Sequence, residues 1–197
     1  MDNETLRNIF LSASIPLKER DKKYYESCDI IAIRDSVIAL TTKVLFHYKL
    51  IWGGHPSITP LIAYVANKMS IPQTHVVLYQ SKYFKNEFPQ ENQIFSNCTI
   101  LTSDKGNKNE SILELRNNML SPEKKFIAGI FIGGMEGVEE EYAIFKKNHP
   151  NAICLPIATT GAAAKIIYEN EKDHDKRLNF DYAYSSLFQD LLIDKIK

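Results

Sequence analysis

The stretch Ile130-Phe131-Ile132-Gly133-Gly134-Met135-Glu136-Gly137-Val138-Glu139-Glu140-Glu141 constrains the fold more than any other part of the chain. Its apolar, β-branched start reads as a buried strand that stops at two glycines. A third glycine and a run of glutamates then open an amphipathic helix. A strand, a glycine turn and a helix start in that order form one βα unit of a parallel sheet. Their junction is a cradle for a phosphorylated ligand, because backbone N–H groups point outward there and glycine allows close approach. The glutamates suit the helix dipole, but an anion must avoid them. A carboxylate in such a cradle can instead bind ribose hydroxyls or act on a glycosidic bond.

The same alternation runs from end to end. Strands are expected over Asn8–Ala13, Lys49–Trp52, His75–Gln80, Thr99–Thr102, Phe126–Ile132 and Ala152–Ile157. Helices are expected over Asp29–His47, Ile58–Met69, Glu110–Leu120, Val138–Lys147, Gly161–Glu169 and Tyr182–Ile196. Such a pattern predicts an α/β fold with a mostly parallel sheet and helices on both faces. The polar stretches Thr102–Glu110 and Ser14–Ser27 read as loops. With 197 residues, one domain spanning the whole chain is expected.

Composition excludes several classes. The 24 basic side chains balance 24 acidic ones, so nothing favours general nucleic-acid binding. No apolar run approaches the roughly 18 residues of a membrane span. The acidic start Met1–Glu4 lacks the basic opening and apolar core of a signal peptide. Cys28, Cys98 and Cys154 stand far apart, without metal-ligand spacing, and His47, His75, His149 and His174 form no cluster. A cytoplasmic protein without disulfides, metal or cofactor is the expectation.

Four loops fall at the carboxyl edge of the predicted sheet, where open parallel sheets bind ligands. They are Ser12-Ala13-Ser14, the segment opening with Gly53-Gly54-His55-Pro56, the glycine-rich stretch Gly133–Gly137, and Thr159-Thr160-Gly161. Each offers small residues where a ligand needs room, although βα turns use glycine and serine in any case. Helical spacing on the helix from Asp29 sets Arg34 among Ile30, Val37, Ile38, Thr41 and Leu45. A buried guanidinium needs a partner, which is either an anionic ligand or an internal acid such as Asp29. Glu141 falls beside Val138, Tyr142 and Phe145 on the packed side of its helix. There it is either a carboxyl of raised pKa, fit for acid–base work, or a helix-dipole residue paired with a lysine. His55 either donates to a phosphate or bonds its own turn.

Taken together, Ser12-Ala13-Ser14, Gly53-Gly54-His55-Pro56 and the run from Gly133 to Glu141 resemble the SLOG superfamily. That group joins LOG-type phosphoribohydrolases to DprA-like and sensor domains. Ile33-Arg34-Asp35 and the loop through Pro60 resemble its prokaryotic branch linked to anti-phage and nucleotide signalling. The resemblance implies a Rossmann-like three-layer sandwich. It also implies a nucleotide-derived ligand, an NAD/ADP-ribose-type molecule or a cyclic ADP-ribose signal, bound at the sheet edge. Ser12, Ala13, Ser14, Arg34, Gly53, Gly54, His55, Gly133, Gly134, Met135, Glu136, Gly137, Glu141, Thr159, Thr160 and Gly161 are the expected contacts. A homo-oligomer and a separately encoded effector are the expected partners.

LOG enzymes carry Pro-Gly-Gly-x-Gly-Thr-x-x-Glu. Gly133, Gly134, Gly137 and Glu141 match its glycines and final glutamate, whereas Ile132 replaces the proline, Val138 replaces the threonine and Glu136 is extra. Binding, as a sensor, is therefore the first expectation. The alternative is a nucleotide N-glycoside hydrolase or transferase with Glu141 or Glu136 as its catalytic carboxylate.

Overall fold

Six β-branched runs pair side by side into one parallel sheet. They are β1 (Asn8–Ser14), β2 (Lys49–Trp52), β3 (Val76–Ser81), β4 (Thr99–Thr102), β5 (Ala128–Gly133) and β6 (Ile153–Ile157). The strand order is β4-β3-β2-β1-β5-β6, and every pairing is parallel. The computed structural model describes residues 6–196, so the acidic start Met1–Glu4 lies outside them.

The chain steps outward from β1 to β4, then returns across β1 to lay down β5 and β6. Parallel neighbours need crossover connections, which are right-handed. Reversing the direction of travel therefore puts the crossing segments on opposite faces of the sheet. One face carries α2 (Ile30–Val44), α3 (Thr59–Lys68) and α7 (Tyr184–Leu191). The other carries the one-turn α1 (Lys22–Tyr25), α4 (Lys108–Met119), α5 (Glu136–Asn148) and α6 (Ala162–Asn170). The result is the expected Rossmann-like α/β sandwich.

Strand period decides which core each residue joins. Ile9, Leu11, Ile130 and Ile132 pack with Ile33, Val37, Ile62 and Phe188 on the first face. Phe10 and Phe131 point the opposite way, onto Phe145 and Tyr142 of α5. Phe10 stacks on Phe145 with ring centroids 5.6 Å apart, and Phe126 closes the cluster. Gly129 belongs here for steric reasons: a Cβ would sit 2.8 Å from the Phe145 ring.

Helix starts follow local chemistry. Asp29 accepts from the Ala32 N–H at 2.9 Å and so caps α2, and Asn107 accepts from the Glu110 N–H to cap α4. Pro60 occupies the first turn of α3, where its missing N–H is harmless. Two expectations need correction. The last helix does not run unbroken to Ile196: it stops at Leu191, and a 3-10 turn follows over Ile193–Lys195. The Ser14–Ser27 loop contains a helical turn capped by Asp21. Between β3 and β4 the crossover is made of 3-10 turns, Lys82–Glu87 and Gln90–Cys98. Among the described residues no helix is long and apolar enough to cross a membrane.

Phe145 is fully buried among four rings, counting His149. Phe145→Ala should cost about 3–5 kcal/mol in urea unfolding. A loss below about 1 kcal/mol would contradict this packing.

Candidate functional site

Because the chain reverses its direction of travel at β1, its two neighbours leave the sheet edge on opposite faces, and a crevice opens above their carboxyl ends. The cleft there has a volume of about 800 Å³. Its floor is the end of β1, with Ser12, Ala13 and Ser14. One wall is the loop after β2, Gly53-Gly54-His55-Pro56, and the other is the start of α5, from Met135 to Glu141. Arg116, Lys108 and Leu113 of α4, Arg20 of the β1–α2 connection and Phe84, Phe88 and Pro89 of the β3–β4 crossover also line it.

At the bottom lies a cluster of three side chains. The Ser12 hydroxyl donates to Glu141 Oε2 at 2.6 Å, and Arg116 Nε donates to Oε1 at 3.4 Å. Arg116 is mostly buried and also bonds Glu140 and, at 3.4 Å, the Gly137 carbonyl. Burial pushes the Glu141 carboxyl above the ordinary carboxylate range, while Arg116 and then Ser12 oppose that rise. Glu141 thus lies on the packed side of its helix, as its phase places it, and of the two alternatives the raised carboxyl is the one its burial supports. Its partner is an arginine on a different element, not a lysine.

His55 is a neutral imidazole. Burial foremost, then the positive charge of Arg20, lower its pKa to about 4. Its Nδ1 accepts from the Ser57 N–H at 3.2 Å and lies 2.8 Å from the Ser57 hydroxyl. The ring proton then belongs on Nε2, which is left to donate. The Gln80 side-chain amide donates to the Gly54 carbonyl at 2.8 Å and holds the loop in place.

The glycine pair has a different role from the cradle expected of it. The Gly133 N–H donates to the Thr160 hydroxyl at 2.8 Å, and the Gly134 N–H donates to the Ser14 carbonyl at 2.8 Å. Both donors are therefore spent inside the fold and neither faces a ligand. Gly133 has φ of +56°, and a Cβ there would meet Ile33 Cδ1 at 2.4 Å. Glycine is needed so that β5 can turn tightly across the end of β1. Met135, Glu136 and Gly137, one step further on, line the cleft.

Six expected residues lie outside the lining: Gly133 and Gly134, together with Arg34, Thr159, Thr160 and Gly161. Arg34 is a correction: it is exposed and pairs with its neighbour Asp35 at 2.8 Å. The buried stripe of α2 is Ile33, Val37, Leu40 and Val44, which turns Arg34 about a quarter-turn outward, and Ile30 is exposed too. Thr159, Thr160 and Gly161 are tied up beneath the cleft instead. Thr159 bonds the Tyr184 hydroxyl, Thr160 serves Gly133 and the Ile157 carbonyl, and Gly161 packs on Ser27.

Arg116, Arg20 and the Phe84–Pro89 wall were not foreseen. Arg116 had a signal, since it adjoins the buried stripe Ser111, Leu115 and Met119. Arg20 sits in an aperiodic segment and had none.

A parallel sheet with one reversal, and a cleft above that reversal, define a Rossmann-like domain with a cleft where such sheets bind ligands. The SLOG cluster3 family matches residues 23–192, most of the chain, and the protein belongs to that family. It is accordingly a Rossmannoid domain of a nucleotide-related superfamily. The matched span begins after β1, although β1 supplies the cleft floor. None of the curated proteins compared with the chain matches it.

The depressed pKa of His55 has a consequence for stability. The folded state resists protonation that the unfolded chain accepts near 6.5, so stability falls as pH drops from about 6.5 towards 4. The loss should be on the order of 2–3 kcal/mol. Unfolding of His55→Gln across this range should show a visibly flatter pH dependence, and an unchanged slope would show His55 to be solvated.

Proposed function

We propose that the protein binds a nucleotide-derived ligand in the cleft above β1 and β5 and acts as a cytoplasmic sensor in prokaryotic defence signalling. The ligand class is NAD/ADP-ribose-type or cyclic ADP-ribose, and the effector is a separate chain. One observation carries the reading: Ser12, Glu141 and Arg116 converge at the floor of the cleft, at the strand reversal. Glu141 and Ser12 suit ribose hydroxyls, which both donate and accept. Phe84, Phe88 and Leu113 offer an apolar wall for a base. The volume suits a ligand of this size, within the roughly 300–1,000 Å³ usual for small-molecule sites.

A second reading, N-glycoside hydrolysis or transfer, is favoured by the proton-retentive carboxyl of Glu141. In it Glu141 would protonate the leaving base while water or an acceptor hydroxyl adds at the anomeric carbon. Against it, Val138 packs its branched side chain into the aromatic core and against Gly134, where LOG enzymes carry a hydroxyl.

Incubation of the purified protein with NAD, ADP-ribose, cyclic ADP-ribose and nucleoside monophosphates separates the two. A thermal shift without product on chromatography supports the sensor, whereas release of free base supports the hydrolase. Arg116→Ala should weaken binding by about 1.5–3 kcal/mol, because charged hydrogen bonds are lost and Glu141 is left unpaired. Unchanged affinity in a folded Arg116→Ala protein would reject the site. Glu141→Gln should weaken binding if Glu141 holds ribose, but should abolish turnover and spare binding if it catalyses.

A further inference from the structure

Arg20 and Glu136 face each other across the mouth of the cleft. Arg20 belongs to the connection between β1 and α2, and Glu136 is the first residue of α5. Their side chains form an ion pair, and each is about half exposed, at 45% and 49%. Both line the cleft. His55 of the opposite wall lines the same cleft.

The two cleft arginines differ in how firmly they are held. Arg116 is 13% exposed and engages Glu140, Glu141 and the Gly137 carbonyl together. Turning Arg116 towards a ligand would give up all three contacts together, so Arg116 is fixed. Among the described residues Arg20 pairs with one carboxylate, in an exposed, screened position, and pairs of that kind exchange readily. Its segment is anchored just behind it. The Tyr24 hydroxyl donates to Glu139 at 2.5 Å, Lys23 pairs with Glu139 at 3.7 Å, and Asp21 caps α1. The backbone that carries Arg20 is thus tied to α5, and only the guanidinium end is free to turn.

Glu136 has an opposite character. It places a carboxylate at the mouth, where a phosphate would otherwise meet Arg20. No side chain caps α5 at Met135. Glu136 therefore competes with an incoming anion for Arg20 and repels it as well.

We propose that Arg20 and Glu136 form a latch in which the phosphate of an entering ligand takes Arg20 from Glu136. Arg20 is then the phosphate-binding residue, and Glu136 sets a threshold that only an anionic ligand overcomes. The inference deepens the nucleotide reading but needs only that the ligand carry a phosphate.

The test uses inorganic phosphate as the probe, titrated by calorimetry against the parent, Glu136→Gln, Arg20→Gln and the double variant. Thermal unfolding near the parent's midpoint confirms that each is folded, as expected for exposed positions. Glu136→Gln should bind phosphate about three- to tenfold more tightly than the parent. Arg20→Gln should bind it about tenfold or more weakly. In the double variant the gain from Glu136→Gln should vanish. An unchanged affinity for Glu136→Gln, a gain that persists without Arg20, or no phosphate binding by any of the four proteins overturns the latch. ADP-ribose titrated in parallel separates this from the nucleotide reading. If ADP-ribose binds none of the proteins while the phosphate pattern holds, the latch stands and the nucleotide reading falls. If ADP-ribose binds the parent while the phosphate pattern is missing, the reverse is true.

Discussion

The pairing of β5 with β1 is the constraint on which the rest of the structure depends. Ser14 lies opposite Gly133 in that ladder, and the Gly134 N–H closes it by donating to the Ser14 carbonyl. The pairing forces the chain to double back, which opens the crevice and aims α5 into it. Thr160 reinforces the junction by accepting from the Gly133 N–H. Residues that resemble a ligand cradle in the sequence thus serve the geometry that makes a cradle possible. The lining passes to the residues after them, Met135 to Gly137.

The electrostatics of the cleft follow from the same helix. Glu136, Glu140 and Glu141 all rise from the first turns of α5 on the cleft side, and each meets an arginine from elsewhere in the chain. Arg116 is held by its own burial and by three partners at once, whereas Arg20 and Glu136 are both solvated. A graded site results, with a rigid floor suited to ribose and a mouth whose charge can rearrange. His55 adds a neutral donor on the wall formed by the loop after β2.

Much of this was legible in the sequence because it rests on period and punctuation. All six strands fall within two residues of their expected bounds, since β-branched runs ending in glycine, serine or polar loops leave few alternatives. The packed side of α5 was readable too, as Val138, Tyr142 and Phe145 recur at helical spacing and are its buried residues. Arg34 was misread because α2 is apolar on several sides, so period alone did not fix its phase. The Thr159–Gly161 loop looked like an edge loop, but its hydroxyls are claimed by Gly133 and Tyr184, and the Gly161 N–H donates to the Ala158 carbonyl. Arg116 and Arg20 depend on which elements meet in space, and the strand order that brings them together is not a local property.

The central claim is that the cleft above β1 and β5 takes a nucleotide-derived ligand. Backbone amide chemical-shift mapping by NMR on titration with ADP-ribose tests it most directly. The account predicts the largest perturbations at Ser12–Ser14, Gly53–His55 and Met135–Gly137, with little change at Thr159–Gly161 or along the exposed side of α2 around Arg34. Perturbations concentrated on those last two regions, or none at saturating ligand, would contradict it.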